Sequence, residues 1–217
     1  MTSTTLLFDL DGTLTDNYAG IAASIVHALA RLDRPAPDVA ALRACVGPPL
    51  RASFARLLDT TAPEVIERAI GHYRERYADV GWRENVAYDG AGKALAALHA
   101  HGTRMFLCTA KPAVFATRIV RHFGFDRYLH GVYGADLDGT HDDKAALLAH
   151  LFACERLDPR TATMIGDRAN DIRAAHTHGA HAVGVLWGYG SREELADAQA
   201  LVATPAELVT LLLDRTT

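Results

Sequence analysis

Two aspartates stand at the end of the first apolar run of the sequence. The run is TTLLF, residues 4–8, and Asp9 and Asp11 follow it with one residue between them. Residues two apart on an extended chain point the same way, so the two carboxylates repel each other unless a cation or a proton intervenes. Gly12 permits a sharp turn here. An ordinary Asp-Gly turn is the alternative interpretation of this stretch taken alone.

A second pair of acids lies far along the chain, in GDRAND, residues 166–171. The apolar run TATMI precedes it, and Asp167 and Asp171 are four residues apart, which places both on one face of a starting helix. A helix N-cap followed by an acid that the helix dipole favours is the alternative, and it explains one aspartate better than two. Carboxylates gathered from two strand ends are the hard oxygen ligands that suit Mg²⁺.

Thr109 and Lys144 offer the opposite chemistry, the binding of an anion. Thr109 follows the predicted strand TRMFLC, and its hydroxyl and the backbone N–H groups that open the next helix would hold a phosphoryl group. The ammonium of Lys144 would neutralise a phosphoryl oxygen. Taken singly, Thr109 is explained by a helix N-cap and Lys144 by a solvated surface position. Together with the acids, they predict phosphoryl transfer, which needs little beyond positioning and charge neutralisation.

Hydrophobic periodicity predicts the elements that must position these groups. Strands are expected at about 4–8, 103–108, 129–133, 161–165 and 180–185. Helices are expected at about 91–101, 112–123, 142–153, 169–178 and 205–213. This alternation implies a parallel sheet covered by helices on both faces, a Rossmann-like three-layer α/β/α core. Such sheets bind ligands at the carboxyl ends of their strands, where the candidate residues lie.

No strand is expected between Asp16 and about Val86. Helical spacing covers 21–32, 38–45, 50–58 and 63–79, with proline and glycine turns between these segments. We therefore predict an inserted α-helical domain at 17–86 and an α/β core domain at 1–16 and 87–217.

Composition excludes several classes of protein. The chain has 217 residues, a net charge of -4 and a pI of about 6.2, which argues against a nucleic-acid or anionic-membrane partner. No apolar stretch approaches the roughly 20 residues that span a bilayer. The three cysteines are widely spaced and are predicted to be small buried side chains, as is typical of a reducing cytoplasm. We expect a cytoplasmic monomer or homodimer.

The four motifs, in their order, resemble those of the haloacid dehalogenase superfamily. They are FDLDGTLTD, LCTAK, a lysine after an acidic loop, and GDRAND. The stretches TAKPAVFATRIVRHFGF, GADLDGTHDDK and GVLWGYGSREEL resemble its phosphoglycolate-phosphatase-like and 5′-nucleotidase-like branch. The helical insert resembles the helical cap of that superfamily.

The resemblance implies a role for each motif residue. The matched positions are the nucleophile and metal ligand Asp9, the acid/base Asp11, the phosphate binders Gly12, Thr109, Ala110 and Lys144, the metal ligand Asp167 and its supporting acid Asp171. The backbone carbonyl of Asp11 would also bind the metal. Superfamily dehalogenases lack the second acid of the first motif, so Asp11 argues against dehalogenation.

The letters DLDGT occur a second time, at Asp136–Thr140. The flanks of the two copies share nothing, which argues against an internal repeat. We interpret the second copy as a loop that presents Lys144, with Asp136 either near the metal or simply part of a polar turn.

Substrate choice would fall to residues outside the motifs. Tyr18, with Asn17 before it, Gly47 in the turn GPP, and Arg51 are candidates in the insert, and Lys111 is a candidate in the core. Arg51 would pair with a substrate carboxylate or be a solvated helix residue. The segment WGYG, residues 187–190, is explained equally by a loop near the site and by core anchoring before a turn.

The predicted function is a Mg²⁺-dependent phosphatase that passes through an aspartyl phosphate. The substrate would be a small phosphorylated metabolite, with phosphoglycolate and nucleoside monophosphates as the first candidates. A sugar-phosphate mutase with the same intermediate, and a catalytically inactive phosphate-binding module, are the alternatives.

Overall fold

The computed structural model describes residues 5–214, which form two units. The first unit takes in the chain up to Thr15 and again from Ala87 onward, and the second is Asp16–Val86. The strands of the described chain are β1 (Thr5–Phe8), β2 (Thr15–Asp16), β3 (Val86–Ala87), β4 (Arg104–Pro112), β5 (Gly131–Ala135), β6 (Ala162–Gly166), β7 (His181–Val185) and β8 (Ala200–Val202).

The helices of the same residues alternate with the strands of the first unit and fill the second. They are α1 (Tyr18–Ala30), α2 (Val39–Arg43), α3 (Leu50–Leu58), α4 (Pro63–Asp79), α5 (Ala91–Ala100), α6 (Ala113–His122), α7 (Lys144–Glu155), α8 (Ala169–Thr177) and α9 (Pro205–Asp214). Short 3₁₀ turns occur at Gly81–Arg83, Asp126–Tyr128 and Pro159–Thr161.

The first unit is built on a six-stranded parallel sheet in the order β5-β4-β1-β6-β7-β8. Helices α7 and α8 pack together, as do α5 and α9, and they cover the sheet in a three-layer arrangement. The predicted Rossmann-like α/β fold is therefore confirmed. β1 lies at the centre, where Leu7 pairs with Phe106 on one side and Met164 on the other.

Burial explains why the central strands consist of apolar runs rather than alternating patterns. Leu7, Phe106 and Met164 are fully buried, since helices cover both faces of a parallel sheet. Leu148, Leu151 and other apolar side chains of α7 join the same cluster. β1 has both faces in the core and carries no charged side chain, and Asp9 is the first charged residue after it.

The second unit is held together by the packing of α1 and α3 on α4. The α4 ring of Tyr73 stacks on that of Tyr77 at 5.1 Å and meets Phe54 of α3 edge-on at 6.3 Å. Asn17, just before α1, donates to the Tyr77 hydroxyl at 2.5 Å. Aromatic pairs of this kind add stabilisation beyond their buried area.

Several element predictions were wrong in detail. β4 continues to Pro112, with irregular pairing between Thr109 and Pro112, because Pro112 disfavours helical geometry at the residue before it. The short strand β8 was not predicted. The stretch expected to lack strands touches β2 and β3, which pair as a two-stranded sheet.

The cysteines are unpaired, and Cys154 is exposed rather than buried as predicted. Burial raises the pKa of the Cys108 thiol to about 12, which keeps it protonated. Within residues 5–214, no helix combines the length and apolar character that crossing a membrane requires.

The close approach of α1 to the turn at Gly81 provides a stability test within the second unit. A methyl group at Gly20 would lie 1.9 Å from the Gly81 carbonyl oxygen, whereas one at Gly71 of α4 would meet nothing within 4 Å. We expect Gly20→Ala to destabilise the protein by about 1–3 kcal/mol or more. Gly71→Ala, the matched control, should be neutral or stabilising by up to about 1 kcal/mol. Urea unfolding followed by tryptophan fluorescence measures both, and equal midpoints would contradict the packing described.

Candidate active site

Neighbouring strands bring the two aspartate pairs to one edge of the sheet. In the parallel pairing of β1 with β6, Phe8 lies opposite Ile165, so the residues that follow both strands emerge side by side. The backbone N–H of Asp9 donates to the Ile165 carbonyl at 2.9 Å. Asp167 follows β6 directly, and Asp171 lies in the first turn of α8.

Three of these acids form a buried cluster. Oxygen atoms of the Asp9, Asp167 and Asp171 carboxylates all lie within 4.8 Å of one another, and the three residues are 5%, 0% and 1% exposed. Burial raises the pKa of Asp167 well above its usual value, and the charges of Asp171 and Asp9 raise it further. Burial also raises the pKa of Asp171, to about 6. The cluster would therefore be stabilised by a cation or a positively charged side chain beside it.

Lys144 supplies part of that charge from the first position of α7. Its Nζ lies 2.8 Å from Asp9 Oδ1 and 2.8 Å from Asp171 Oδ1, and it donates to the Cys108 carbonyl at 2.8 Å. Burial opposes the charge on this ammonium, but Asp171 and Asp9 outweigh burial and raise the pKa of Lys144. Asp143 caps the helix by accepting from the Ala146 N–H at 2.8 Å, which fixes where α7 begins.

Asp11 and Lys111 form a second ion pair in the same unit. Lys111 Nζ lies 2.6 Å from Asp11 Oδ2, with side chains that are 6% and 10% exposed. The hydroxyl of the buried Thr109 accepts from the Lys111 N–H at 3.3 Å. The expectation that the strand ends before Thr109 was wrong, because β4 continues to Pro112, and the next helix, expected from residue 112, begins at Ala113.

The acid cluster fits a divalent cation. Oδ2 of Asp167 accepts from the Tyr189 N–H at 2.8 Å, whereas its Oδ1 is buried and has no hydrogen-bond partner among residues 5–214. Gly12, at φ +89°, leaves room for this carboxylate, since a methyl group there would lie 2.1 Å from Asp167 Oδ2. A buried, unsatisfied carboxylate oxygen beside two further carboxylates is a set of hard oxygen donors that suits Mg²⁺.

The other candidate residues are not members of the acid cluster. Tyr18, Gly47 and Arg51 belong to the second unit, where Arg51 Nε pairs with Glu67 at 2.5 Å and Arg43 lies 5.2 Å from the Tyr18 ring centroid. Asp136 has a side chain that is 62% exposed and lies 3.8 Å from His141 Nδ1, so it is not part of the acid cluster.

Sequence reasoning missed two backbone contributions and one ion pair. The Cys108 carbonyl accepts from Lys144, and the Tyr189 N–H donates to Asp167. Both are backbone groups, which every residue type carries, so residue type could not predict these contacts. The pairing of Lys111 with Asp11 depends on the extension of β4 beyond Thr109. The sequence signal for the Tyr189 contact was the glycine spacing of WGYG, which begins two residues after the end of β7.

The sequence profile of the haloacid dehalogenase-like hydrolases matches residues 6–185, which include Asp9, Asp11, Thr109, Lys111, Lys144, Asp167 and Asp171 but not Tyr189. The chain belongs to the haloacid dehalogenase-like hydrolases. Among the relatives of this family member is a 5′-nucleotidase of Pseudomonas aeruginosa, 44% identical over 190 residues that cover 88% of this chain and 86% of the relative.

Two further relatives show the range of this family. The tyrosine-protein kinase PtkA of Mycobacterium tuberculosis is 37% identical over 204 residues, which cover 94% of this chain and 69% of the kinase. The crystal structure of a predicted phosphatase from Clostridium acetobutylicum superposes with a TM-score of 0.94 at 34% identity, covering 99% and 100% of the two chains. Family membership and the phosphatase-named relatives support a phosphatase enzyme.

Replacement of Lys144 tests the electrostatics of the cluster. In Lys144→Met, Asp171 loses its buried cationic partner, so its pKa, which burial already raises to about 6, rises further above its unfolded value. Such a penalty is present above the native pKa and disappears as pH falls. We expect a loss of about 3–5 kcal/mol of stability near pH 8, and a much smaller loss near pH 5.5.

Urea unfolding with a chelator present measures this loss at both pH values. Lys93→Met is the matched control, because Lys93 is an exposed lysine on α5 and should show little change at either pH. An equal loss for Lys144→Met at the two pH values would contradict the proposed coupling to the buried acids.

Proposed function

We propose that the protein is a Mg²⁺-dependent phosphatase that hydrolyses a small phosphomonoester through an aspartyl phosphate on Asp9. The observation that carries the proposal is the position of Asp9, which belongs to the carboxylate cluster, pairs with Lys144 at 2.8 Å and stands two residues before a second acid. The relatives with phosphatase names support the same class of reaction.

Asp9, Asp167 and the backbone carbonyl of Asp11 would hold the metal, with Asp171 supporting them. The unpartnered Oδ1 of Asp167 and the raised pKa values of Asp167 and Asp171 support this assignment. When bound, Mg²⁺ would neutralise the negative charge of the phosphoryl group and of the acids around it.

Asp9 would act as the nucleophile and Asp11 as the acid and base. A carboxylate oxygen of Asp9 forms a bond to phosphorus while the ester P–O bond breaks, and Asp11 gives its proton to the departing oxygen. Asp11, now ionised, takes a proton from water as the water oxygen attacks phosphorus. The bond from phosphorus to Asp9 then breaks, which releases phosphate, restores the Asp9 carboxylate and leaves Asp11 protonated for the next turnover.

The remaining residues of the first unit would bind and orient the phosphoryl group. Lys144 holds Asp9 through a 2.8 Å ion pair and would share its charge with a phosphoryl oxygen. Thr109 and the backbone at Gly12 and Ala110 would donate hydrogen bonds. Lys111 would line the pocket, and its 2.6 Å ion pair with Asp11 would have to open before Asp11 could donate a proton.

The substrate would be a small phosphorylated metabolite. The 44% identical relative named 5′-nucleotidase favours a nucleoside monophosphate over phosphoglycolate. Tyr18, Gly47 and Arg51 are proposed substrate contacts of the second unit. Arg51 already has a carboxylate partner in Glu67, so an acidic substrate would have to replace that partner.

Transfer of the phosphoryl group to an acceptor other than water is the second candidate function. The relative named as a tyrosine-protein kinase supports it, because an aspartyl phosphate can be passed to a hydroxyl group as well as to water. Product analysis separates the candidates: hydrolysis releases free phosphate, a kinase yields phosphotyrosine, and a mutase returns an isomerised sugar phosphate.

Replacement of the nucleophile provides the direct test. Asp9→Asn should abolish Mg²⁺-dependent release of phosphate from an aryl phosphate while the protein stays folded by circular dichroism, because an amide cannot form the acyl phosphate. Asp136→Asn is the matched control, since it changes the first aspartate of the second, exposed DLDGT copy and should leave turnover unchanged. Retained turnover in Asp9→Asn would refute the nucleophile assignment.

The acid/base and the metal are tested in the same assay. Asp11→Asn should lower kcat by about 10²- to 10⁴-fold, the usual contribution of a general acid. Removal of the metal with EDTA should stop turnover, and added Mg²⁺ should restore it. Full activity in EDTA would exclude the Mg²⁺-dependent reaction.

A further inference from the structure

The segment Trp187–Gly190, which follows β7, lies directly against Asp167. The Tyr189 N–H donates to Asp167 Oδ2 at 2.8 Å. This hydrogen bond occupies one carboxylate oxygen and leaves the buried Oδ1 without a hydrogen-bond partner among residues 5–214. The two oxygens of one carboxylate are thereby made different.

Two glycines allow this backbone to approach so closely. A methyl group at Gly188 would lie 2.3 Å from the Gly12 carbonyl oxygen and 2.4 Å from Asp167 Cβ, and one at Gly190 would lie 2.0 Å from the Asp167 carbonyl oxygen. Neither glycine has a positive φ. Both are therefore required by space, since any side chain would push the segment away from Asp167.

Trp187 connects the segment to the loop that follows β1. Its indole Nε1–H donates to the Thr13 carbonyl at 3.0 Å. Gly188 faces Gly12 of the same loop, so the segment contacts both loops that carry the predicted metal ligands. A segment anchored at both places fixes the distance between them.

We propose that Trp187–Gly190 is a positioning element that sets the orientation of Asp167 for the cation. The inference rests on the proposed function for the presence of that cation. Residues that orient a metal ligand through a hydrogen bond affect metal affinity by about 10- to 100-fold when they are changed. A segment that served only to anchor the core would instead affect stability and leave metal affinity unchanged.

The test measures metal binding directly, with Mn²⁺ as the probe and the electron paramagnetic resonance signal of free Mn²⁺ as the readout. Gly188→Ala should weaken binding by about 10- to 100-fold, and Trp187→Phe, which keeps an aromatic side chain but loses the indole N–H, should weaken it by about tenfold. Gly71→Ala is the matched glycine control and should bind as the wild type does, because its methyl group enters open space.

Asp167→Asn separates failure of this inference from failure of the proposed function. If Asp167→Asn binds Mn²⁺ as well as the wild type, the cation does not lie at Asp167, and both proposals fall. If Asp167→Asn loses binding while folded Gly188→Ala and Trp187→Phe retain wild-type affinity, only the positioning role is overturned. Should Gly188→Ala not fold, wild-type affinity in Trp187→Phe alone would overturn it.

Discussion

Burial of like charges at one edge of the sheet is the constraint on which the rest of this structure depends. Three carboxylates that lie within 4.8 Å of one another and are nearly inaccessible to water would be unstable without positive charge beside them. Lys144 provides some of that charge to Asp9 and Asp171, whereas Asp167 keeps one oxygen unsatisfied. The scaffold therefore holds a cluster whose electrostatics favour a bound cation, and the raised pKa values of Asp167 and Asp171 express the same fact.

The parallel sheet brings the residues of this cluster to the same place. Adjacent parallel strands end at the same edge of the sheet. Asp9 after β1 and Asp167 after β6 are therefore brought together by strand pairing alone. Lys144 reaches them because α7 begins beside that edge, at a position fixed by the Asp143 cap. The match to the haloacid dehalogenase-like hydrolases spans residues 6–185, which include Asp9, Lys144 and Asp167.

The sequence predicted what strong local patterns determine and missed what depends on tertiary contacts. Fully buried strands such as β1 and β6 appear as apolar runs that stop at a polar residue, so their ends could be located. β4 passes beyond Thr109 because Pro112 delays the start of α6, and β8 is too short to leave a pattern. The contacts of Tyr189 and Cys108 are made by backbone atoms, which residue identity does not encode. Asp136 and Asp9 each begin a DLDGT stretch, but Asp9 is buried whereas the side chain of Asp136 is exposed. Burial, and not the motif, therefore distinguishes the two residues.

Gly12 has a consequence for how this chain can change over generations. The carboxylate of Asp167 fills the volume that a side chain at position 12 would need, and the positive φ of Gly12 already disfavours such a side chain. The first and last motifs, more than 150 residues apart in the chain, are thus interlocked by shape as well as by charge. A lineage that substituted Gly12 would have to relinquish or relocate the acid at 167 in the same step, so drift at either position is confined by the other.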